Sequence, residues 1–67
     1  MIEIVVNGQS QNVPEGRTLL DLVRLLQLDP ERVAIELDRK IVKRPEWTDT
    51  PVRPGARLEI VQFVGGG

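Results

Sequence analysis

Alternating apolar and polar positions at the start of the chain predict a β-hairpin. Ile2, Ile4 and Val6 recur at every second residue, a spacing that places their side chains on one face of a strand. Asn7-Gly8 follows directly and is a strong signal for a two-residue turn, because both residues tolerate positive φ. We therefore expect residues 9–13, which are mostly polar, to return as a short second strand.

The next segment changes to a spacing of three and four residues, which predicts an amphipathic helix. Thr18 is the expected N-cap, whose hydroxyl would accept a hydrogen bond from the amide of Asp21. Leu25 falls off the apolar stripe and should be partly exposed. Asp29-Pro30 should stop the helix, since a residue before proline disfavours helical geometry. The stripe consists of Leu19, Leu22, Val23 and Leu26, with Leu20 at its edge.

Alternation returns in the second half of the chain and predicts three more strands, giving the order β-β-α-β-β-β. One helix covers a single face of a five-stranded sheet. We therefore expect an α+β fold with the helix packed on one face and the other face left to solvent or a partner. An irregular loop with three prolines occupies residues 44–54. The predicted strands span residues 33–37, 41–43 and 57–64, with a turn at Asp38-Arg39-Lys40.

The composition argues against a self-sufficient enzyme. The 67-residue chain contains no cysteine and no histidine, which excludes disulfides, thiolate metal sites, a cysteine nucleophile and the usual general base at neutral pH. A domain this small has a thin core and little room for a concave active site. We expect a carrier, an inhibitor or a binding module, with no metal and no bound cofactor.

Charge and hydropathy restrict the partners further. Acidic and basic residues are interspersed, the net charge is −1, and there is no basic block for a nucleic-acid groove. No apolar run approaches the roughly 20 residues that span a membrane, and the N-terminal segment lacks the basic flank of a signal peptide. We therefore expect a cytoplasmic protein that binds neither nucleic acid nor membranes.

Three glycines, Gly65, Gly66 and Gly67, follow the last predicted strand. We interpret residues 1–64 as the folded domain and residues 65–67 as a flexible tail. Three extended residues reach roughly 10 Å, and without side chains they can thread a narrow channel. The Gly67 carboxylate would then be an unhindered nucleophile, ionised at neutral pH. A frayed end or a cloning remnant is the competing interpretation.

The last predicted strand carries a second functional signal. If Leu58 and Ile60 face the helix, Val61 and Phe63 point to the uncovered face. Val5, which is off the core face of the first strand, should point the same way. An apolar cluster there, beside the root of the tail, is an expected docking surface. The competing interpretation is that β-branched residues favour strands wherever they point.

Two other features have structural explanations that we prefer. Trp47 lies in the proline-containing loop, where packing over the edge of the core is favoured over a ligand contact. A small basic cluster around the third turn is expected to be a solvated hairpin rather than an anion site. The cluster consists of Arg39, Lys40, Lys43 and Arg44.

Several short motifs along the whole chain resemble those of one family. They are Val6-Asn7-Gly8, Pro14-Glu15-Gly16, Thr18-Leu19, the run from Asp29 to Leu37, Ile41-Val42 with Arg44 and Trp47, the run from Pro54 to Val61, and Val64-Gly65-Gly66-Gly67. On these residues the chain resembles the ThiS family of thiamine-pathway sulfur carrier proteins. The resemblance implies the ubiquitin-like β-grasp fold, a mixed five-stranded sheet with one helix on one face.

The resemblance also implies a protein cosubstrate with no turnover of its own. An adenylating enzyme of the ubiquitin-activating type would use ATP to adenylate the Gly67 carboxylate, and a sulfur donor such as a cysteine desulfurase would convert it to a thiocarboxylate. Thiazole synthase would then take the sulfur. The chain has no Gly-x-x-x-x-Gly-Lys-Ser/Thr loop, so ATP would belong to the partner. Gly65 and Gly66 would thread into the partner, and the residues near the contact would be Val61, Phe63 and Val64.

Two departures from the family pattern concern local turns. Asp38-Arg39 stands where many members have Asn-Gly, and the helix end, at Gln27 or Leu28, lacks its usual glycine. Other functions are compatible with the same residues. They are a sulfur carrier for molybdopterin or tRNA thiolation, a ubiquitin-like modifier conjugated to lysines, and an interaction module with an inert tail.

Overall fold

The computed structural model describes residues 1–64. In this part of the chain one α-helix packs against a five-stranded sheet. The strands are β1 (Ile2–Val6), β2 (Gln9–Val13), β3 (Val33–Leu37), β4 (Lys40–Val42) and β5 (Arg57–Gln62); the helix, α1, spans Leu19–Leu25, and 3₁₀-helices span Pro30–Arg32 and Arg44–Asp49.

The strand order is β2-β1-β5-β3-β4, so the first and last strands lie side by side in the middle of the sheet. These two run parallel, with Val5 opposite Arg57 and Val6 opposite Leu58, whereas the other neighbouring pairs are antiparallel. A parallel pair needs a long crossover connection, which the chain from β2 to β4 supplies. This mixed sheet with a helix on one face confirms the predicted α+β fold.

Both hairpins close through two residues with positive φ. The φ angles are 51° and 80° in Asn7-Gly8, and 48° and 73° in Asp38-Arg39, as a type I′ turn requires. The second hairpin corrects the predicted three-residue turn, because Lys40 already pairs with Leu37. Strand β4 therefore begins one residue earlier than expected. A strand of three residues is too short to show a period from which its start could be read.

Helix α1 begins after the predicted N-cap, Thr18, which forms a reciprocal capping box with Asp21. The Asp21 amide donates to the Thr18 hydroxyl over 3.2 Å, and the Thr18 amide donates to the Asp21 carboxylate over 3.0 Å. Hydrogen bonding to the Thr18 backbone, and then to its side chain, holds the pKa of Asp21 below its ordinary value. The helix ends at Leu25, earlier than expected, and Gln27 has a φ of 60°. Gln27 thus adopts the left-handed conformation for which glycine is usual.

The core lies between α1 and the sheet face that this helix covers. Leu19, Leu22 and Val23 are fully buried, whereas Leu25 is half-exposed, as the helical spacing predicts. Burial of every second residue on β1, β3 and β5 matches the alternation in the sequence. The sheet and its flanking loops contribute Ile2, Ile4, Val6, Val13, Val33, Ile35, Val52, Ala56, Leu58 and Ile60.

The loop before β5 is more ordered than the sequence predicts. Its first part forms the 3₁₀-helix Arg44–Asp49, which turns the Trp47 side chain inward. Trp47 is 2% exposed, and its Nε1–H donates to the Val42 carbonyl over 2.8 Å. The indole is therefore part of the core itself and not a cover over its edge.

Strand β5 ends at Gln62, two residues earlier than predicted. Phe63 continues the pairing at one point, since its N–H donates to the Arg32 carbonyl over 2.6 Å. The predicted glycine tail, residues 65–67, lies outside the described residues. Within residues 1–64, no helix combines the length and the apolar character that crossing a membrane requires.

Candidate functional site

The sheet face opposite α1, here called the open face, carries an exposed apolar patch. Ile41 is 76% exposed, Val61 58% and Phe63 55%. Ala34 lies directly opposite Val61 on the neighbouring strand and is also exposed. These four residues line two adjoining shallow grooves, and we call them the open-face patch. Exposed apolar residues grouped in this way are typical of a docking surface.

The patch follows from the period of the strands and from their register. Leu58 and Ile60 point to α1, so Val61 points away from it. Glu36 of β3 pairs with Ile41 of β4 on one side and with Glu59 of β5 on the other. Paired residues share a face of the sheet, so Ile41 lies on the same face as Glu59, and therefore as Val61 two residues further along β5. Phe63 keeps the direction of β5 through its bond to Arg32. The predicted exposure of Val61 and Phe63 is confirmed, and their role in partner binding stays a prediction.

Ile41 and Ala34 are the members of the patch that sequence reasoning missed. The strand of Ile41 is too short to show alternation, and the expected three-residue turn gave it the wrong register. The two-residue turn sets Leu37 opposite Lys40 and Glu36 opposite Ile41. The type I′ turn at Asp38-Arg39 fixes the register of this hairpin, but it lacks the glycine that marks such a turn in a sequence, so no local signal was available.

Val5 does not belong to the patch, which corrects the predicted cluster. It lies on the open face, as expected, but the parallel register places it opposite Arg57. Arg57 precedes Val61 by four residues on β5, or about 13 Å at the usual rise of a strand. Charged residues occupy the open face between the two positions, at Arg57 and Glu59. A partner contact at Val5 stays a prediction, separate from the patch.

Val64 is the last described residue and is 90% exposed. It lies two residues past β5 and directly after Phe63, a member of the open-face patch. The predicted modification site Gly67 and the threading residues Gly65 and Gly66 lie outside the described residues, so their roles stay predictions. The described chain thus leads from a central strand of the sheet to an apolar residue that is almost fully exposed.

Charged side chains border the patch. Glu36 and Glu59 stand opposite each other on β3 and β5, and Arg39 and Arg57 line the same hollow. At the other side, the Arg44 guanidinium lies 5.8 Å from the centre of the Trp47 ring and donates to the Pro30 carbonyl. The predicted basic cluster is exposed along its length, as a solvated hairpin requires. Within residues 1–64, no three potential metal ligands come together.

Comparison with known proteins identifies a family over almost the whole chain. The ThiS family model matches residues 2–67. A crystal structure of the thiamine biosynthesis protein ThiS from Geobacter metallireducens superposes with a TM-score of 0.85 at 29% identity, covering 98% of this chain and 100% of that one. Its solution NMR structure gives a TM-score of 0.80 at 28% identity.

Curated relatives of two sizes are similar to the chain. The sulfur carrier protein ThiS of Escherichia coli is 26% identical over 66 residues, which is 98% of this chain and 100% of that protein. A thiazole synthase of Paramagnetospirillum magneticum is 35% identical over 66 residues, again 98% of this chain but 20% of that protein. The chain therefore spans about a fifth of the length of the thiazole synthases that it matches.

Proposed function

Because this chain belongs to the ThiS family, we propose that it is a sulfur carrier of thiamine biosynthesis and that the sulfur is held as a thiocarboxylate on Gly67. The observation that carries the proposal is the family match, which extends through residue 67. It is supported by the similarity to the Escherichia coli sulfur carrier, which this chain covers over its full length. The chain itself acts as a cosubstrate and not as a catalyst.

The proposed chemistry has two stages. In the first, a carboxylate oxygen of Gly67 attacks the α-phosphorus of ATP and displaces pyrophosphate, which leaves an acyl-adenylate. In the second, the outer sulfur of a persulfide attacks the activated carbonyl and AMP leaves, which gives an acyl disulfide. A thiol then reduces this disulfide and is itself oxidised to a disulfide, so that the thiocarboxylate is released with sulfur in place of one oxygen. The carboxylate is a poor acyl donor until AMP makes it part of a mixed anhydride. A partner enzyme supplies the nucleotide site, and a separate sulfur donor, for example a cysteine desulfurase, supplies the persulfide.

Thiazole synthase is the proposed acceptor of the sulfur. In two proteins with that name, a stretch that amounts to 20% of the polypeptide is similar to this chain. A carrier-like segment and a thiazole synthase thus occur within one polypeptide, which supports the view that the two kinds of protein work together.

The open-face patch is the proposed docking surface for the adenylating enzyme. Its member Val61 lies near the end of β5, and Phe63 follows directly after the strand. They precede the first glycine of the tail by four and two residues. A partner that covers this patch would bury apolar surface and bring its nucleotide site close to the root of the tail. The patch supplies the affinity, and the glycines supply the reach.

Deletion of Gly66 and Gly67 tests the proposal. The unaltered chain should support ATP–pyrophosphate exchange by the adenylating enzyme, and the truncated chain should not, while its circular dichroism spectrum and thermal unfolding stay unchanged. The control is a chain extended by one residue beyond Gly67, which keeps both glycines but moves the carboxylate. Unchanged exchange with the truncated chain would contradict the proposal.

Intact mass of the chain from its native cell tests the sulfur-carrier step separately. Replacement of one oxygen by sulfur at the C-terminus is the expected result. Isopeptide conjugates with other proteins, formed in extract with ATP, would instead support a ubiquitin-like modifier.

A further inference from the structure

The carboxamide of Asn7 completes the sheet at the point where β1 turns away from β5. The main chain of Asn7 still pairs with β5, because its N–H donates to the Leu58 carbonyl over 2.8 Å. Two residues further along β5 the side chain takes over. Its Nδ2 donates to the Ile60 carbonyl over 3.1 Å, and its Oδ1 accepts from the Ile60 N–H over 2.8 Å. The amide supplies both bonds that Ile60 would receive if β1 continued beside it.

These two bonds lie immediately before the residues proposed to meet the partner. Val61 follows Ile60 directly, and Phe63 is two residues further along the chain. On the β3 side, pairing continues as far as the bond from Phe63 to Arg32. On the β1 side, the bonds of the Asn7 amide are the last hydrogen bonds to β5 among the described residues. The end of β5 is therefore held from both sides only as far as Asn7 reaches.

The start of β5 is held by a similar device, which provides a matched comparison. Asp38 is the first residue of the second turn, with a φ of 48° against 51° for Asn7. Its N–H donates to the Arg57 carbonyl over 2.8 Å, and its Oδ1 accepts from the Arg57 N–H over 3.1 Å. Two turn residues of the same conformation thus bind the two ends of one strand. One end leads to the patch and the glycines, and the other end does not.

We infer that Asn7 is a positioning residue for the activation reaction: its carboxamide holds the end of β5, and with it Val61 and Phe63, in the geometry that the adenylating enzyme binds. The inference rests on the proposed function. Strand ends that lack neighbours open readily. A carrier whose docking residues are held for only part of the time has its apparent affinity reduced by that fraction. Asn7 acts through β5 and touches no reacting atom.

Three variants test the inference in the intact chain. Asn7→Gly removes the amide but keeps a residue that tolerates positive φ. Asn7→Asp keeps the acceptor for the Ile60 N–H and loses the donor to the Ile60 carbonyl. Asp38→Gly makes the equivalent change at the other end of β5. Amide hydrogen exchange of Ile60 and Arg57 is measured in each, together with kcat/KM for the carrier in ATP–pyrophosphate exchange and the free energy of unfolding.

In Asn7→Gly we expect faster exchange at the Ile60 amide and a fall of about threefold to tenfold in kcat/KM, expressed mainly in KM, because the loss is one of pre-organised binding surface. For Asn7→Asp, both the exchange rate at the Ile60 amide and kcat/KM should lie between the values for Asn7→Gly and those for the unaltered chain. Asp38→Gly should speed hydrogen exchange at the Arg57 amide and lower the free energy of unfolding about as much as Asn7→Gly does. Its kcat/KM should equal that of the unaltered chain.

Equal losses of kcat/KM in Asn7→Gly and Asp38→Gly would overturn the inference, since both would then act through global stability. Unchanged protection of Ile60 in Asn7→Gly would overturn it as well. If the unaltered chain supported no ATP–pyrophosphate exchange, the proposed function would fail, and the role of Asn7 in activation would fail with it. Hydrogen exchange at Ile60 would still show in that case whether Asn7 holds the strand.

Discussion

The two faces of β5 carry side chains of the same chemical class in opposite environments. Leu58 and Ile60 are 1% and 8% exposed, whereas Val61 and Phe63 are more than half exposed. The helix accounts for the difference, because α1 covers one face of the sheet and leaves the other free. One strand therefore supplies the core from one side and an apolar patch from the other.

This contrast shows that apolar character alone does not determine what a residue contributes. A side chain under α1 gains the full free energy of removal from water when the domain folds. A side chain in the open-face patch keeps most of its contact with water until a partner covers it. We expect the core face to determine stability and the open face to determine association, and the predictions below test that separation.

Alanine substitution on the two faces should give the largest contrast. Leu58→Ala should lower the free energy of unfolding by about 2–5 kcal/mol, since it removes a fully buried side chain and leaves a cavity. Val61→Ala should change it by less than about 0.5 kcal/mol, as is usual for exposed positions. Urea unfolding measures both. For a chain of this length the total stability is about 3–10 kcal/mol, so Leu58→Ala should be close to unfolding.

Comparable losses from Leu58→Ala and Val61→Ala would contradict the separation of the faces. They would place Val61 in a packed environment and leave the patch without its central residue.

A charge at the end of β5 should affect association more than stability. Phe63→Asp should weaken binding to the adenylating enzyme about tenfold or more, or about 1.4 kcal/mol, because the carboxylate must be desolvated when the partner covers the patch. The free energy of unfolding should change by less than about 1 kcal/mol. Calorimetric titration measures the affinity, and urea unfolding measures the stability.

Leu25→Glu is the matched control for Phe63→Asp. Leu25 is also half-exposed and apolar, but it lies on α1, away from the open face. The affinity of the Leu25→Glu variant for the adenylating enzyme should equal that of the unaltered chain. Thermal collapse of Phe63→Asp would instead show that Phe63 belongs to the core.

The smallest expected effect concerns the helix that separates the two faces. The pKa of Asp21 is lower in the folded chain than its ordinary value, chiefly through the hydrogen bond to the Thr18 backbone. The folded state therefore favours the ionised carboxylate. The resulting stability is present above the pKa of the unfolded chain and is lost as the pH falls through the folded-state pKa.

Asp21→Asn should accordingly lower the melting temperature at neutral pH and converge with the unaltered chain as the pH falls through the folded-state pKa of Asp21, below which the carboxylate is protonated in both states. Glu15→Gln removes the same charge from an exposed position before the helix and serves as control. A constant difference between Asp21→Asn and the unaltered chain from neutral to acid pH would contradict the role of the ionised cap.

Local patterns in the sequence predicted most of the fold. Alternation located β1, β3 and most of β5, and the Asn7-Gly8 pair located the first turn and, through it, the returning strand β2. The spacing of leucines identified the buried face of α1, and Thr18 identified its start. These features depend on residues within a few positions of each other, where backbone geometry allows few alternatives.

The misses have a common physical origin in contacts between distant segments. The bounds of β4, the 3₁₀-helix around Trp47 and the end of β5 depend on packing against parts of the chain that no local period reveals. The same holds for the patch: Ile41 joins Val61 through the register of β4 on β3 and of β3 on β5.

The sequence by itself determined the order of the elements, the core faces of β1, α1 and β5, the helix cap and the glycine-rich end that follows β5. The tertiary structure alone decided which exposed apolar residues meet, and it placed Val5 outside the patch and Ile41 within it. It also decided that the side chains of Asn7 and Asp38 bind opposite ends of β5. Strand register and side-chain-to-backbone bonds across 53 positions, as between Asn7 and Ile60, arise only when the whole sheet has assembled.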